Sequence, residues 1–188
     1  RVIQLGREKL GYQRLGLWYL EKAPLEARGT YGVDEHGKIR DERAFRVKVH
    51  ADNMTGQVLR QKLRVALEKE VPLLNHEVTV IGHGDRCTSA IWDGRKVIGF
   101  LSVDNQLMDR GLNELDAELL AQYAAVIGHL TSQLRNQEAL RRSETTLHNI
   151  LKAAPVGIGL ITNRLLGWAN DRTLDMLGYT SGEIIGQS

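Results

Sequence analysis

A long uninterrupted helical pattern constrains the fold of this chain more than any other feature. The stretch from Asn113 to Ala154 contains no proline, and its only interior glycine is Gly128. Asn113 and Asp116 suit a helix start, because an amide side chain can cap the first turn and an acid there favours the helix dipole. Pro155 disfavours continuation. A helix of this length spans roughly 60 Å, which exceeds one small domain, so we predict two modules joined by it.

The apolar positions of this helix change in character midway. From Leu115 to Leu130 they form a broad stripe, which is typical of a helix packed on a sheet. Beyond Leu134 the stripe narrows to Leu140, Leu147 and Leu151, with a spacing close to a heptad. We therefore expect the helix to leave its domain as a coiled coil. These three leucines would form the seam of a parallel homodimer.

Composition limits the class of protein. The 188 residues carry a net charge of +2 and are 42% apolar and 26% charged, which is ordinary for a globular protein. The sequence has no long block of basic residues of the kind that binds nucleic acid, and no apolar run long enough for a membrane segment. Cys87 is the single cysteine, which excludes an internal disulfide and fits the cytoplasm. Because Arg1 falls within a helical pattern, we expect a piece of a longer protein.

The region before the long helix mixes helical and extended patterns. In chain order it predicts a helix ended by Gly11, strands at 14–21 and 29–33, a helix at 55–70 capped by Asp52 or Asn53, a short strand at 77–81, and a loop at Gly82 and Gly84. Helices at both ends of a run of strands predict an α+β fold with an antiparallel sheet.

Two hairpins complete the pattern. Asp93-Gly94 joins the β-rich runs CTSAIW and KVIGFLSVDN, which predicts a hairpin with a type I′ turn. After Pro155, VGIGLIT and LLGWAN predict two strands around Asn163-Arg164. A short helix at 171–177, stopped by Gly178, should follow.

Three segments together resemble a GAF domain of the bacterial signalling type, over residues 1–134. They read GYQRLGLWYLE, RGTYGVDEHGKIRDE and SAIWDGRKVIGFLSVDNQLMDRGLNELDAELLAQYAAVIGHL. The resemblance implies a central antiparallel sheet with the first and last helices on one face and the first helix truncated. It also implies a small-molecule pocket on the other face, under the middle helix and loops.

The last part of the chain, LRRSETTLHNILKAAPVGIGLITNRLLGWANDRTLDMLGYTSGEIIGQS, resembles the opening of a PAS domain. Residues 135–154 would then be a helical linker, and residues 155–188 an incomplete PAS domain, since about 100 residues are needed to close such a core. GAF-then-PAS arrays resemble the sensory front ends of histidine kinases in two-component systems, and sometimes those of diguanylate cyclases.

Five residues are candidates to line the GAF pocket. Their side chains are aromatic or small, and they lie on predicted strands near the implied pocket: Trp18, Tyr31, Thr88, Ala90 and Trp92. Ordinary core packing is an equally simple interpretation. Alternation does not fix the face, so Leu17 or Tyr19 could replace Trp18. The sequence does not identify the ligand or any cofactor.

Other chemistry-bearing residues give weaker indications. His83, Asp85 and Cys87 could hold a metal or a haem, or supply a reactive thiol, but paired ligands such as Cys-x-x-Cys are absent, so no metal site is predicted. His129 and His148 on the long helix lack the flanking residues of a kinase phosphoacceptor. Asp104 could contact a ligand or bond its own backbone.

These patterns predict a sensory or regulatory input region and no catalytic residue. An unidentified small molecule would bind the GAF domain, and the helical dimer would relay the change. Methionine sulfoxide reduction, found in a few GAF-like folds, is the enzymatic alternative, but it uses several cysteines. The other alternative is a dimerising spacer without a ligand.

Overall fold

The computed structural model describes residues 1–21, 26–61, 63–108 and 110–186. They form two compact units, Arg1–Gln133 and Leu134–Ser188. The elements in chain order are α1 (Val2–Leu10), β1 (Arg14–Leu20), β2 (Glu26–Val33), β3 (Ile39–Asp41), β4 (Arg46–Lys48), α2 (Met54–Leu59), β5 (Val65–Leu74), β6 (Val80–Trp92), β7 (Val97–Asp104), α3 (Glu114–Ala153), β8 (Gly159–Thr162), β9 (Leu165–Ala169), α4 (Asp171–Leu177) and α5 (Ser181–Ile184).

The first unit is built on one antiparallel sheet. The strand order is β3-β2-β1-β7-β6-β5, and β4 also pairs with β2. Every pairing is antiparallel. Helices flank this sheet, so the predicted α+β class is confirmed.

The helices α1 and α3 pack on one face of the sheet. Tyr12, Leu15, Leu101 and Leu120 are almost fully buried in the core between them and the strands. The Tyr123 hydroxyl on α3 donates to the backbone oxygen of Val2 on α1 at 2.7 Å. The expectation that the first and last helices of this unit share a face is therefore met.

The other face carries a smaller apolar cluster and the short helix α2. Ala27, Leu59 and Phe100 are buried there, with Trp18 and Val47 packed against them. Asn53 begins α2 as predicted, because its side-chain oxygen accepts the backbone N–H of Gly56 at 2.8 Å. This face is left incompletely covered, and the candidate site lies on it.

The hairpin of β6 and β7 is confirmed, but its turn is not the predicted type I′. That turn needs positive φ at both central residues, whereas only Gly94, at φ 91°, has it in this loop. Asp93 instead accepts the backbone N–H groups of Arg95 and Lys96 on Oδ1, both at 3.0 Å. A four-residue loop closed by an aspartate side chain replaces the two-residue turn.

The middle of the unit differs most from the prediction. The helix expected at 55–70 ends at Leu59, and β5 occupies Val65–Leu74, with Lys62 outside the described residues. Pro72, which was expected after a helix, lies inside β5; because β5 is an edge strand, a missing N–H is tolerated there. The expected strand at 77–81 begins instead at Val80, as part of the 13-residue β6. The expected loop at Gly82 and Gly84 is strand, because both glycines pair with β5.

The second unit contains the predicted hairpin and short helix. Asn163 and Arg164 both have positive φ, at 52° and 67°, between β8 and β9. Asn170 is 3% exposed and caps α4 by accepting the N–H of Thr173 at 3.0 Å. Its amide nitrogen donates to the backbone oxygen of Leu151 at 3.0 Å, so one side chain joins α4 to the end of α3.

The helix α3 begins as the sequence predicts. Asn113 Oδ1 accepts the N–H of Asp116 at 3.1 Å, and Asp116 Oδ2 accepts the N–H of Asn113 at 2.9 Å. The helix is continuous for 40 residues. Within the described ranges, no helix combines the length and the apolar character that crossing a bilayer requires.

Candidate functional site

A cavity of about 480 Å³ opens on the sheet face opposite α1 and α3. This volume lies within the range of small-molecule sites in proteins. Strands β1, β7 and β6 form its floor, and β4, the start of α2 and the β5–β6 turn form its walls. Its lining includes Arg14, Gly16, Trp18, Glu42, Arg86, Phe100 and Asp104.

Strand alternation decides which side chains reach the cavity. On β1, Arg14, Gly16 and Trp18 face it, while Leu15 and Leu17 belong to the helix-side core. Trp18 stacks on Phe100 of β7, with ring centroids 6.1 Å apart and an interplanar angle of 8°. The floor therefore offers a flat aromatic surface for an apolar group.

One end of the cavity is highly polar. Arg14, whose side chain is 8% exposed, donates to Asp104 Oδ2 and to the backbone oxygen of Leu74, both at 2.6 Å. Burial raises the pKa of Asp104, and the positive charges of Arg14 and Arg86 oppose that rise only in part. The same carboxylate also accepts the N–H of Gln106 at 3.2 Å. Asp104 thus both bonds its local backbone and holds a buried arginine beside the cavity.

Two further charged groups of the lining, Glu42 and Arg86, are also paired. Glu42 is 5% exposed and accepts a hydrogen bond from Arg40 at 2.9 Å. Arg86 donates to Glu68 at 2.8 Å. Pairing of this kind is what permits charges to remain beside a buried apolar floor.

The structure places the five predicted pocket residues differently. Trp18 lines the cavity, whereas the other four are not among its lining residues. Thr88 and Ala90 are on the same sheet face, where α2 packs over β6. Tyr31 is 44% exposed beneath the guanidinium of Arg43, and Trp92 is 41% exposed. Their contact with any ligand stays a prediction.

Phe100, Arg14 and Arg86 are lining residues that the sequence analysis missed. Arg14 has the same strand parity as Trp18 on β1, whereas Phe100 and Arg86 lie on other strands and are related to Trp18 only through the register of the sheet. The register pairs Trp18 with Phe100 and Arg14 with Asp104.

The residues considered for metal binding, thiol chemistry or phosphorylation do not line the cavity. Cys87 is 1% exposed, and burial raises the pKa of its thiol to about 12, so it stays protonated near neutral pH. His83 is exposed, and Asp85 bonds to the helix side of the sheet. In the parts of the chain that are described, no group of three or more His, Cys, Asp or Glu side chains could hold a metal. His129 and His148 are exposed on α3.

Behind the polar end of the cavity, Asp85 holds the start of α3. Its Oδ2 accepts the N–H of Leu112 and the ammonium of Lys69, both at 2.9 Å, and Lys69 also donates to the Leu112 oxygen. Asn105 Oδ1 accepts the N–H of Asp85 at 2.7 Å, and its amide donates to the Arg110 oxygen at 3.2 Å. These bonds fix the entry to the helix against β6 and β7.

We expect Asp85→Asn to lower the free energy of unfolding by about 2 kcal/mol at pH 7, because charge-assisted bonds to Lys69 and Leu112 are weakened. Burial opposes ionisation of Asp85, but the bonds from Lys69, Leu112 and Glu70 outweigh it and lower its pKa below the ordinary 3.8. A lowered pKa stabilises the fold above 3.8 and loses that effect as the pH falls through the native value. Urea unfolding should therefore show the difference shrinking towards pH 3. Asp52→Asn, at an exposed site, is the control, and an equal loss there would contradict the assignment.

Solved structures with similar folds are GAF domains and signalling proteins. The GAF domain of a phosphoenolpyruvate-protein phosphotransferase (ptsP) from Coxiella burnetii aligns with a TM-score of 0.56 at 14% identity, covering 73% of this chain and 82% of that one. The blue-light absorbing form of the PixJ GAF domain from Thermosynechococcus elongatus aligns with a TM-score of 0.54 at 15% identity, covering 79% and 89%. The chain has the GAF fold.

A methyl-accepting chemotaxis protein also aligns with this GAF fold, with a TM-score of 0.52 at 14% identity, covering 71% of this chain and 85% of that one. No protein-family model matches the sequence, and no curated protein matches it. At these identities the likeness concerns the fold alone.

Proposed function

We propose that this chain is a sensory input region of a signal-transduction protein and that its GAF cavity binds a small molecule. The observation that carries the proposal is the cavity of about 480 Å³, with the stacked Trp18 and Phe100 on its floor and the buried Arg14–Asp104 pair at its end. An apolar surface beside a few oriented polar groups is the usual composition of a ligand site.

The fold neighbours support a signalling context. One is described as a chemotaxis protein and another as a blue-light absorbing GAF domain. We propose that residues 1–134 are the GAF sensory domain, 135–154 a helical linker and 155–188 the start of a PAS domain, within a cytoplasmic bacterial sensor histidine kinase. The fragment itself would not be an enzyme. Input to a diguanylate cyclase is the alternative output.

The helix α3 would carry the response between modules. We propose a parallel homodimer in which Leu140, Leu147 and Leu151 form the seam. Leu140 and Leu147 are 61% and 57% exposed, so these side chains have apolar surface to bury. A ligand that favours one packing of the two helices would shift the population between packings.

Trp18 and Trp92 provide the test of ligand binding. Protein purified from its natural host is expected to carry a bound molecule detectable by native mass spectrometry. Released and re-added, this molecule should raise the melting temperature by mass action. Trp18→Ala should abolish that rise. Trp92→Ala tests the sequence-based prediction for position 92: the rise is kept if Trp92, which lies outside the cavity lining, does not contact the ligand, and is lost if it does. A protein that arrives empty and responds to no nucleotide, haem or organic acid would instead favour the spacer.

A further inference from the structure

Four charged residues form a row across the cavity side of the sheet. The register pairs Glu68 of β5 with Arg86 of β6, Arg86 with Asp104 of β7, and Asp104 with Arg14 of β1. Their charges alternate, with contacts of 2.8 Å from Arg86 to Glu68 and 2.6 Å from Arg14 to Asp104. We name Glu68, Arg86, Asp104 and Arg14 the charge row.

Three residues next to this row form the attachment of α3. Lys69, Asp85 and Asn105 make the bonds that fix Leu112 and Arg110 before the helix. We name these three residues the helix anchor. Asp85 and Asn105 are also joined to each other through backbone and side chain, at 3.2 and 2.7 Å. Glycine at position 111 leaves space for the carboxylate, because a Cβ there would lie 2.8 Å from Asp85 Oδ2.

Each anchor residue is the chain neighbour of a charge-row residue. Lys69 follows Glu68, Asp85 precedes Arg86, and Asn105 follows Asp104. Side chains alternate between the two faces of a strand, so β5 and β6 each present one residue to the cavity and its neighbour to α3. Asn105 directly follows the end of β7 at Asp104. The two groups are therefore joined through the backbone at three points, within β5, within β6 and at the end of β7.

We propose that the charge row and the helix anchor form one coupled unit, through which occupancy of the cavity changes how firmly the first turn of α3 is held. This regulation rests on the proposed ligand function of the cavity. A polar ligand group that draws Arg14 away from Asp104 would leave a buried carboxylate poorly compensated, which is costly. If the end of β7 moves so that Asp104 reaches other hydrogen-bond donors, the cost of the unpaired carboxylate falls. The same movement displaces Asn105, which follows Asp104, and so weakens its bonds to Asp85 and Arg110.

The coupling is measurable without knowing the ligand. Amide hydrogen exchange of the whole chain reports how often each segment opens. Asp104→Asn removes the charge that holds Arg14 while keeping an oxygen that can accept the Gln106 N–H. We expect exchange at 112–117, relative to the β2 amides, to accelerate about fivefold or more, the lower range of allosteric couplings. Normalising to β2, which carries no residue of the charge row or the helix anchor, separates local release of the helix from a general loss of stability.

Glu42→Gln is the matched control for this measurement. It also neutralises a buried, arginine-paired carboxylate of the cavity lining, but Glu42 lies outside the charge row, so the exchange ratio should stay unchanged. Arg86→Gln, at a side chain that is 25% exposed, gives a milder second disturbance and should raise the ratio as well. An unchanged ratio in both charge-row variants, or an equal rise in Glu42→Gln, would overturn the coupling. A cavity that binds nothing would defeat the ligand proposal and leave this result standing, so the two failures are distinguishable.

Discussion

Replacing Gly128 with alanine is expected to lower the free energy of unfolding by about 3 kcal/mol, as overpacking of a tight contact does. Helix propensity predicts the opposite, since alanine is favoured over glycine inside a helix by about 1 kcal/mol. Gly128 is buried where α3 crosses the end of β6. A Cβ there would overlap the carbonyl oxygen of Trp92 and lie 2.8 Å from its carbonyl carbon. The backbone of Trp92 cannot relieve the overlap by a change of rotamer, as a flexible side chain can. The helix α3 and the end of β6 must therefore move apart.

Ala125→Gly on the exposed side of the same helix is the control for this result. This substitution should lower the free energy of unfolding by about 1 kcal/mol, because glycine has a lower helix propensity than alanine. Urea unfolding of both variants in a Trp168→Phe background, followed by tryptophan fluorescence, then reports the first unit and compares them directly. A Gly128→Ala protein as stable as the parent would mean that α3 and the β6 end do not pack as closely as described.

Features governed by short-range rules could be predicted from the sequence. The Asn113–Asp116 capping pattern and the absence of proline located α3, and the two hairpins followed from residues at their turns. Each of these depends on neighbours a few positions apart, where local preference and the final fold agree.

The segment from Val65 to Leu74 shows why other parts could not be predicted. Leu63, Ala66 and Leu67 fit a helical stripe that continues from Val58, so the local pattern favours one longer helix. Pairing along the 13-residue β6 satisfies the backbone of this segment instead, and only knowledge of the partner strand reveals that. Pro72 then becomes a feature of a sheet edge, where it would otherwise mark the end of a helix.

The candidate site was predictable in position and less so in composition. The resemblance to GAF domains implied a pocket on the face opposite the first and last helices, which is where the cavity lies, and Trp18 is one of its lining residues. The register of β7 against β1 brings Phe100 and Asp104 to the same cavity, and a register is a long-range property that periodicity does not determine. Arg14 followed the same parity as Trp18, but a charged residue in an apolar strand reads as an exposed one until its partner Asp104 is known.

The exposed leucines of α3 lead to the second large expected effect. Leu140 and Leu147 lie on one side of the helix, whereas Glu138 bonds Arg142 at 2.9 Å on the other. We expect the chain to sediment as a dimer at high micromolar concentration. Leu140→Glu combined with Leu147→Glu should give monomers, because like charges would face each other across the seam and apolar burial would be lost.

A control with the same charge change separates a seam from general repulsion. Thr145→Glu with Asn149→Glu adds two negative charges to the side that carries Glu138, and this protein should remain dimeric.

The parallel arrangement has its own test in Leu140→Cys, since only parallel helices bring two such residues close enough for a disulfide, and the native Cys87 is buried. A monomeric parent chain would reduce α3 to a tether between modules. A dimeric double-leucine variant would move the interface elsewhere, to the exposed faces of α1 and the first half of α3. Loss of the dimer in the leucine variant alone, with the cross-link formed at residue 140, would establish the seam through which a change at the cavity could pass along α3.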